Sequence, residues 1–239
     1  MNRELCNCEK CSHKMCARRV PIFSLLDSQE LLKVVNLIIH REYIKGEMIV
    51  MEGEQLGNLV IINQGQVKAF KNSTEGKEQI LYIFSAGDFF GESSLLREQE
   101  ATYSVEALEE TKICMIKKQD FRILLKEYPD ISLKIIDELS ARIDRLEHTV
   151  QNMGTNNVER RIHAVLLEFA NKYGREQANG IEFELPLSRE GIASYIGLTR
   201  ETVSRKLNQM QDDGIIEMIG NKKVVIRDKQ ILVDSLEQI

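Results

Sequence analysis

No run of apolar residues in this 239-residue chain approaches the length of about 18 that a membrane-spanning helix requires. The opening segment also lacks the apolar core of a secretory signal. Both absences argue against a bilayer protein and predict a cytoplasmic one. Excess positive charge is missing too: 32 Lys and Arg face 37 Asp and Glu, a net charge of -5. Such a chain does not coat nucleic acid through bulk charge, so any DNA contact must come from a local basic patch. Catalytic constellations are absent as well. His13, His40, His148 and His163 are scattered, and no nucleophile with a positioned base can be read from them. The glycine-rich stretch from Gly87 to Gly91 has neither the lysine nor the spacing of a phosphate-binding loop. No enzyme is expected. Cysteine is scarce over most of the chain but crowded at its start. Of five, Cys6, Cys8, Cys11 and Cys16 fall in the first 16 residues and Cys114 stands alone. In a reducing compartment this distribution argues against a structural disulfide framework.

What is present is ordinary globular material, 43% hydrophobic, enough to bury a full core. Residues 44–116 read as short apolar runs (48–51, 59–62, 67–70, 80–84 and 112–116) punctuated by glycines, the pattern of an antiparallel sandwich or barrel. A short helix over 27–39 precedes it. After Pro129 the period changes: Ile136, Leu139, Ile143, Leu146, Val150 and Met153 step alternately by three and four, the spacing of a coiled-coil seam. Charged residues, Arg142 among them, flank that seam. One long helix is expected to pair with its copy in a second subunit; the same spacing also suits a helix packed on its own barrel. Residues 154–157 supply a hinge before a helix over 158–172.

Next come Ser188 as an N-cap, a helix over 189–195, a turn holding Gly197, then Thr199 as the next N-cap and a helix to residue 211. Two short helices joined by a tight glycine turn make a helix-turn-helix. Ile192, Ala193, Ile196, Leu198, Val203 and Leu207 are spaced to lock the pair together, leaving Arg200, Glu201, Ser204, Arg205 and Gln209 outside. Arginine can donate two bonds to guanine and glutamate can accept from cytosine, so the face suits a major groove. It also suits simple charge pairing at i,i+4 on a solvated helix. Residues 214–217 and 223–227 read as a two-strand wing around Gly220 and Asn221.

In this order, Gly46, Glu52-Gly53-Glu54, Gly65, Gly76-Lys77-Glu78, Gly87-Asp88-Phe89-Phe90-Gly91-Glu92, Asn157 to Arg161 and Leu198 to Arg205 resemble the CRP/FNR superfamily of bacterial regulators. The resemblance runs from about Phe23 to the end. It implies an α+β fold: a cyclic-nucleotide-binding-type β roll, a long dimerisation helix and a C-terminal winged helix-turn-helix. The divisions expected are a cysteine-rich segment (1–22), the β-roll sensor domain (23–128), the dimerisation helix (129–154) and the DNA-binding domain (155–239). It further implies a homodimer on palindromic DNA that works with RNA polymerase. Arg200, Glu201, Ser204 and Arg205 would be the base-reading set, with Thr199 at the helix start. Arg200 leans the half-site towards TGTGA, whereas Ser204 pulls towards TTGAT.

The family's cyclic-AMP pocket carries an arginine-serine pair about ten residues after the Gly91-Glu92 position. Here Ala101 and Thr102 stand in its place, so no cyclic AMP is expected. The cysteines resemble instead the oxygen-sensing FNR branch, which implies a [4Fe-4S] cluster on Cys8, Cys11, Cys16 and Cys114 with Cys6 spare. The same thiols would also suit a zinc site or a thiol-disulfide switch. With an all-apolar seam the dimer is expected in both signalling states, and regulation would come from reorientation about residues 154–157. A rival reading, a metal or electron-transfer protein with a partner-binding tail, predicts no sequence-specific DNA affinity.

Overall fold

Strand β3 (Asn58–Gln64) carries an unbroken apolar run in which Leu59 and Ile61 enter one buried cluster while Val60 and Ile62 enter another. Successive strand residues point to opposite faces, so such a run belongs to a strand covered on both sides. The computed structural model describes residues 20–93, 99–154 and 157–237, with the backbone alone for 148, 152–154 and 237. Two units divide the chain: one holds Leu81–Ile143 with the residues up to Lys71, the other Asn72–Ile80 with those from Asp144 on.

The roll is built from β1 (Ile39–Tyr43), β2 (Met48–Val50), β3, β4 (Gln66–Asn72), β5 (Glu78–Ser85), β6 (Phe89–Phe90), β7 (Ser104–Ala107) and β8 (Thr111–Lys117). They form two four-stranded sheets, ordered β1-β8-β3-β6 and β2-β7-β4-β5. Val50, Val60, Ile62, Val67, Ala69, Phe84, Phe90, Val105 and Ile113 fill the space between the sheets. Gly65 makes the β3 to β4 turn possible: its φ is +88°, and a Cβ there would lie 2.6 Å from the Glu110 carbonyl oxygen.

Three helices cover the outer face of β3 and β8. Helix α1 (Ser28–Leu37) starts at a capping box: Asp27 accepts from the Gln29 and Glu30 amides, and Glu30 accepts from the Asp27 amide. Helices α2 (Lys118–Glu127) and α3 (Pro129–Gly154) follow. Leu31, Val34, Phe121, Leu124, Ile131 and Ile135 close over Leu59, Ile61, Cys114 and Ile116, and Leu139 packs partly against the same cluster. On another face of α3, Ile136, Ile143 and Val150 are 57%, 55% and 68% exposed, at intervals of one heptad. One stripe of this helix therefore packs on its own roll, as one of the two readings has it, and another stripe faces outward on the single chain. The Met153 side chain lies outside the described residues. Arg142, one of the charged residues flanking the seam, is only 8% exposed. Its partners lie on β6 and just after it, beyond the reach of any helical periodicity.

In the second unit α4 (Val158–Tyr173) is N-capped by Asn157, which accepts from the Arg160 amide. It packs on α5 (Arg189–Ile196), α6 (Arg200–Asp212) and the last helix, α7 (Lys229–Glu237). Strands β9 (Arg175–Gln177), β10 (Gly180–Glu184), β11 (Ile216–Ile219) and β12 (Lys223–Ile226) make one sheet, ordered β11-β12-β10-β9. Among the described residues no helix is long and apolar enough to cross a membrane.

Candidate nucleic-acid interface and cysteine site

The angle between α5 and α6 is set by local chemistry. Ser188 caps α5 by accepting from the Gly191 amide, and Thr199 caps α6 by accepting from the Thr202 amide. Between them Gly197 takes the left-handed conformation at φ 68°, and the Leu198 amide donates to the Ala193 carbonyl. Ile192, Ala193 and Ile196 of α5 are buried, as are Val203, Leu207 and Met210 of α6. That burial forces the remaining face of α6 outward.

On that face Arg200, Glu201 and Arg205 are exposed and Ser204 is half-buried. Glu201, Ser204, Arg205 and Asn208 follow helical i, i+3, i+4, i+7 spacing and form one stripe. Arg200 and Arg205 make no ion pair among the described residues, and Glu201 and Arg205 do not pair with each other. The charge-pairing reading of the sequence thus loses its geometry. Lys206 is withdrawn: its ammonium sits 3.5 Å from a Glu159 carboxylate oxygen and donates to Gln209 at 2.9 Å. The wing lies where the glycine turn places it, with Gly220 at φ 64° and Arg227 paired to Glu217 across its strands.

Sequence reasoning missed a brace on this module. The Arg161 guanidinium, on α4, donates to the carbonyls of Ile196 and Gly197, each at 3.4 Å. These carbonyls end α5, where no further turn of helix exists to satisfy them. Replacing Arg161 by Met should lower the stability of the second unit by about 1–3 kcal/mol and weaken DNA binding, because the turn that aims α6 loses its only charged donor among the described residues. Thermal melts and DNA titrations of the same variant check this; a melt unchanged from wild type contradicts it.

His163 is buried on α4, with Nδ1 2.5 Å from the Ser235 hydroxyl and Nε2 lacking a hydrogen bond among the described residues. Burial holds its pKa below the ordinary imidazole range, with Glu159 opposing and Lys206 reinforcing. A depressed imidazole is neutral in the fold, while the unfolded chain takes up its proton from about pH 6.5 downwards. Its contribution to stability is therefore present above that pH and lost as pH falls further. Glu168, raised by burial and bonded to the Tyr195 hydroxyl at 2.8 Å, works in the opposite sense. The expected result is that the wild-type melting temperature drops more than that of His163→Gln between about pH 7.5 and 5.5; parallel curves would refute the assignment.

Of the predicted metal ligands, Cys8, Cys11 and Cys16, with the spare Cys6, lie outside the described residues. Cys114 is on β8, paired in register with His40 on one side and Ile61 on the other. Strand alternation sends its side chain to the face covered by helices, away from the space between the sheets. It is 3% exposed, and Sγ lies 3.5 Å from His40 Nδ1. Val20, Ile22 and Phe23 belong to the same apolar cluster.

Residues 40–128 match the Cyclic nucleotide-binding domain family and residues 160–234 the Crp-like helix-turn-helix domain family. The chain is similar to "Probable transcriptional regulator flp" of Lacticaseibacillus casei, 27% identical over 207 residues that cover 87% of this chain and 92% of the relative. It is 28% identical over 230 residues to "Anaerobic regulatory protein" of Haemophilus influenzae, covering 95% and 87%. The solved structure of FixK2 from Bradyrhizobium japonicum matches at a TM-score of 0.73 and 26% identity, covering 82% of this chain and 96% of that one. With both domains present in order on one roll, one long helix and one winged helix-turn-helix, the chain belongs to the CRP/FNR family of DNA-binding transcriptional regulators.

Proposed function

We propose that this regulator responds to oxygen or redox state through a [4Fe-4S] cluster held by Cys8, Cys11, Cys16 and Cys114, and reads palindromic DNA with Arg200, Glu201, Ser204 and Arg205. The observation that carries the redox reading is the place of Cys114. Its thiol lies in the apolar cluster that also takes Val20 and Ile22, and Val20 follows Cys16 by four residues. Four residues of chain span at most about 14 Å, so chain length alone keeps Cys16 within that reach of Val20. A dry, covered thiol suits a cluster ligand, and its burial makes it a poor partner for solvent-borne thiol exchange. When bound, such a cluster supplies oxygen-labile one-electron chemistry; the chain supplies the thiolates and the apolar cover. The name of the Haemophilus influenzae relative points the same way.

A cyclic nucleotide fits these residues poorly. Ala101 and Thr102 bring no cation to a phosphate, and the Glu92 carboxylate is engaged by Arg142. Regulators of this family bind DNA and are typically dimers. We assign the exposed stripe Ile136, Ile143 and Val150, with Leu146, Leu139 and Met153, to that contact. The dimer persists in both states, and the signal reorients the DNA domains about residues 154–157. Half-sites lie nearer TGTGA than TTGAT, and activation requires contact with RNA polymerase.

Anaerobic purification followed by absorbance and by iron and sulfide analysis tests the cluster. Wild-type protein should be coloured and carry both, and Cys114→Ser should lose them. A colourless, iron-free wild type would move the assignment to a thiol-disulfide switch. A gel shift that does not distinguish a TGTGA palindrome from scrambled DNA would reject the specific regulator itself.

A further inference from the structure

Arg142 stands in α3 thirteen residues past its start, yet its guanidinium lies inside the roll. Nη2 donates to the Phe89 carbonyl at 2.5 Å, and Nη1 is 3.4 Å from Glu92 Oε1. The guanidinium carbon sits 4.6 Å from the centre of the Phe89 ring and 5.2 Å from that of Phe84. Phe84 stacks in turn on Phe90 and on Tyr82. Glu92 is itself buried, and its Oε2 has no hydrogen-bond partner among the described residues. Every attribute of a guanidinium is used: charge against the carboxylate, N–H groups against carboxylate and carbonyl, and a flat cation against aromatic faces. A lysine ammonium also carries three donors, but it has no planar fork and no flat face to lay against the rings.

A buried ion pair is not a cheap way to stabilise a helix against a barrel, because desolvating two charges costs about what their attraction returns, and a matched apolar pair often does as well. The geometry therefore asks for a reason beyond stability. Two features of the chain supply one. The domain family that covers residues 40–128 is named for a diffusible ligand, and here the Ala101 and Thr102 positions bring no charge while Glu92 is taken by a residue of the chain. In addition, the helix bearing Arg142 continues without a break to Gly154, just before the α4 N-cap at Asn157.

We propose that Arg142 is a positioning residue: its guanidinium serves as a built-in occupant of the roll that fixes the setting of α3, and through α3 the DNA-binding competence of the dimer, with no diffusible ligand. The pin rests on the regulator reading above only in its DNA-binding arm. Its site has the recognition chemistry of a planar, multiply donating cation, so a shortened side chain should leave a cavity that accepts one.

Amide hydrogen exchange tests the pin without reference to any operator. Arg142→Ala should raise exchange at β6 and around residues 139–146 of α3 by on the order of 100-fold, the loss expected when a buried charge is left without its partner. Millimolar methylguanidinium should recover at least a third of that protection on a logarithmic scale, and methylammonium should recover none. Exchange unchanged in Arg142→Ala, or equal rescue by the two cations, overturns the proposal. If Arg142→Ala does not fold, the same comparison is made with Glu92→Gln/Arg142→Ala, which leaves the cavity without a buried unpaired carboxylate, and methylguanidinium should again outperform methylammonium. The second arm separates positioning from packing. The double variant Glu92→Leu/Arg142→Met should melt near the wild type, yet bind a TGTGA palindrome at least about tenfold more weakly, because an apolar pair fills the space without setting the helix. Recovery of both melting temperature and DNA affinity would make Arg142 a packing residue only. A wild type that fails to bind the palindrome condemns the regulator reading and leaves the exchange result to judge the pin.

Discussion

Arg205→Ala should lose about 10–100-fold in affinity for a cognate palindrome per half-site while its affinity for unrelated DNA changes little. Arg205 is exposed on α6 and forms no ion pair among the described residues, so removing it takes nothing from the fold. Val203 and Leu207 on either side are buried and set its direction, and the Thr199 cap with the Gly197 turn sets the start of its helix. A bidentate arginine-guanine contact discriminates by about 1–3 kcal/mol, which the dimer uses twice. Anisotropy titrations of wild type and variant at one fixed salt concentration, on cognate and scrambled duplexes, check it. Equal losses on both duplexes would make Arg205 a phosphate contact. Glu201→Gln, tested in parallel, should relax the preference for cytosine at one position. Arg200→Ala should shift preference from TGTGA towards TTGAT.

The sequence made the DNA module legible because its determinants are local. Ser188 and Thr199 each cap the helix that begins one residue later, and a cap is read from a handful of neighbours; Asn157, read only as part of the hinge, caps α4 in the same way. The strands of the roll were legible for the same reason, since Leu59 to Ile62 announces a doubly covered strand without knowledge of what covers it. What could not be read are the pairings between distant residues. Arg142 and Glu92 are fifty residues apart, and Arg161 and Gly197 thirty-six. Each arginine has a helical position that looks solvated until the partner element arrives. Lys206, next to Arg205 in the chain, is likewise held by a distant residue, Glu159. For Cys114 the strand was legible. Which face of it meets the residues following the cysteine tract depended on the register between β3 and β8.

That same division governs the seam helix, where periodicity gave six apolar positions but not their loyalties. Ile131 and Ile135 are committed to the roll and Leu139 partly so, whereas Ile136, Ile143 and Val150 are more than half exposed among the described residues. Burying an isoleucine stabilises by about 1.5–3 kcal/mol, and in a symmetric pair each substitution counts twice. Ile143→Glu removes that burial and sets two carboxylates against each other in the middle of the stripe. The variant should sediment as a monomer at micromolar concentration, where the wild type should be a dimer with or without oxygen. Because the residue is exposed in the single chain, the melting of each isolated fold should change little. Binding to a palindrome should fall by about 100-fold or more, since the second half-site is no longer delivered by the first. Ile135→Glu provides the contrast: Ile135 faces the roll, so that variant should unfold the first unit rather than release a folded monomer. If Ile143→Glu remains a dimer, α3 is not the contact between subunits. If wild-type protein dissociates on exposure to oxygen, the signal acts on assembly, and reorientation about residues 154–157 is not the mechanism.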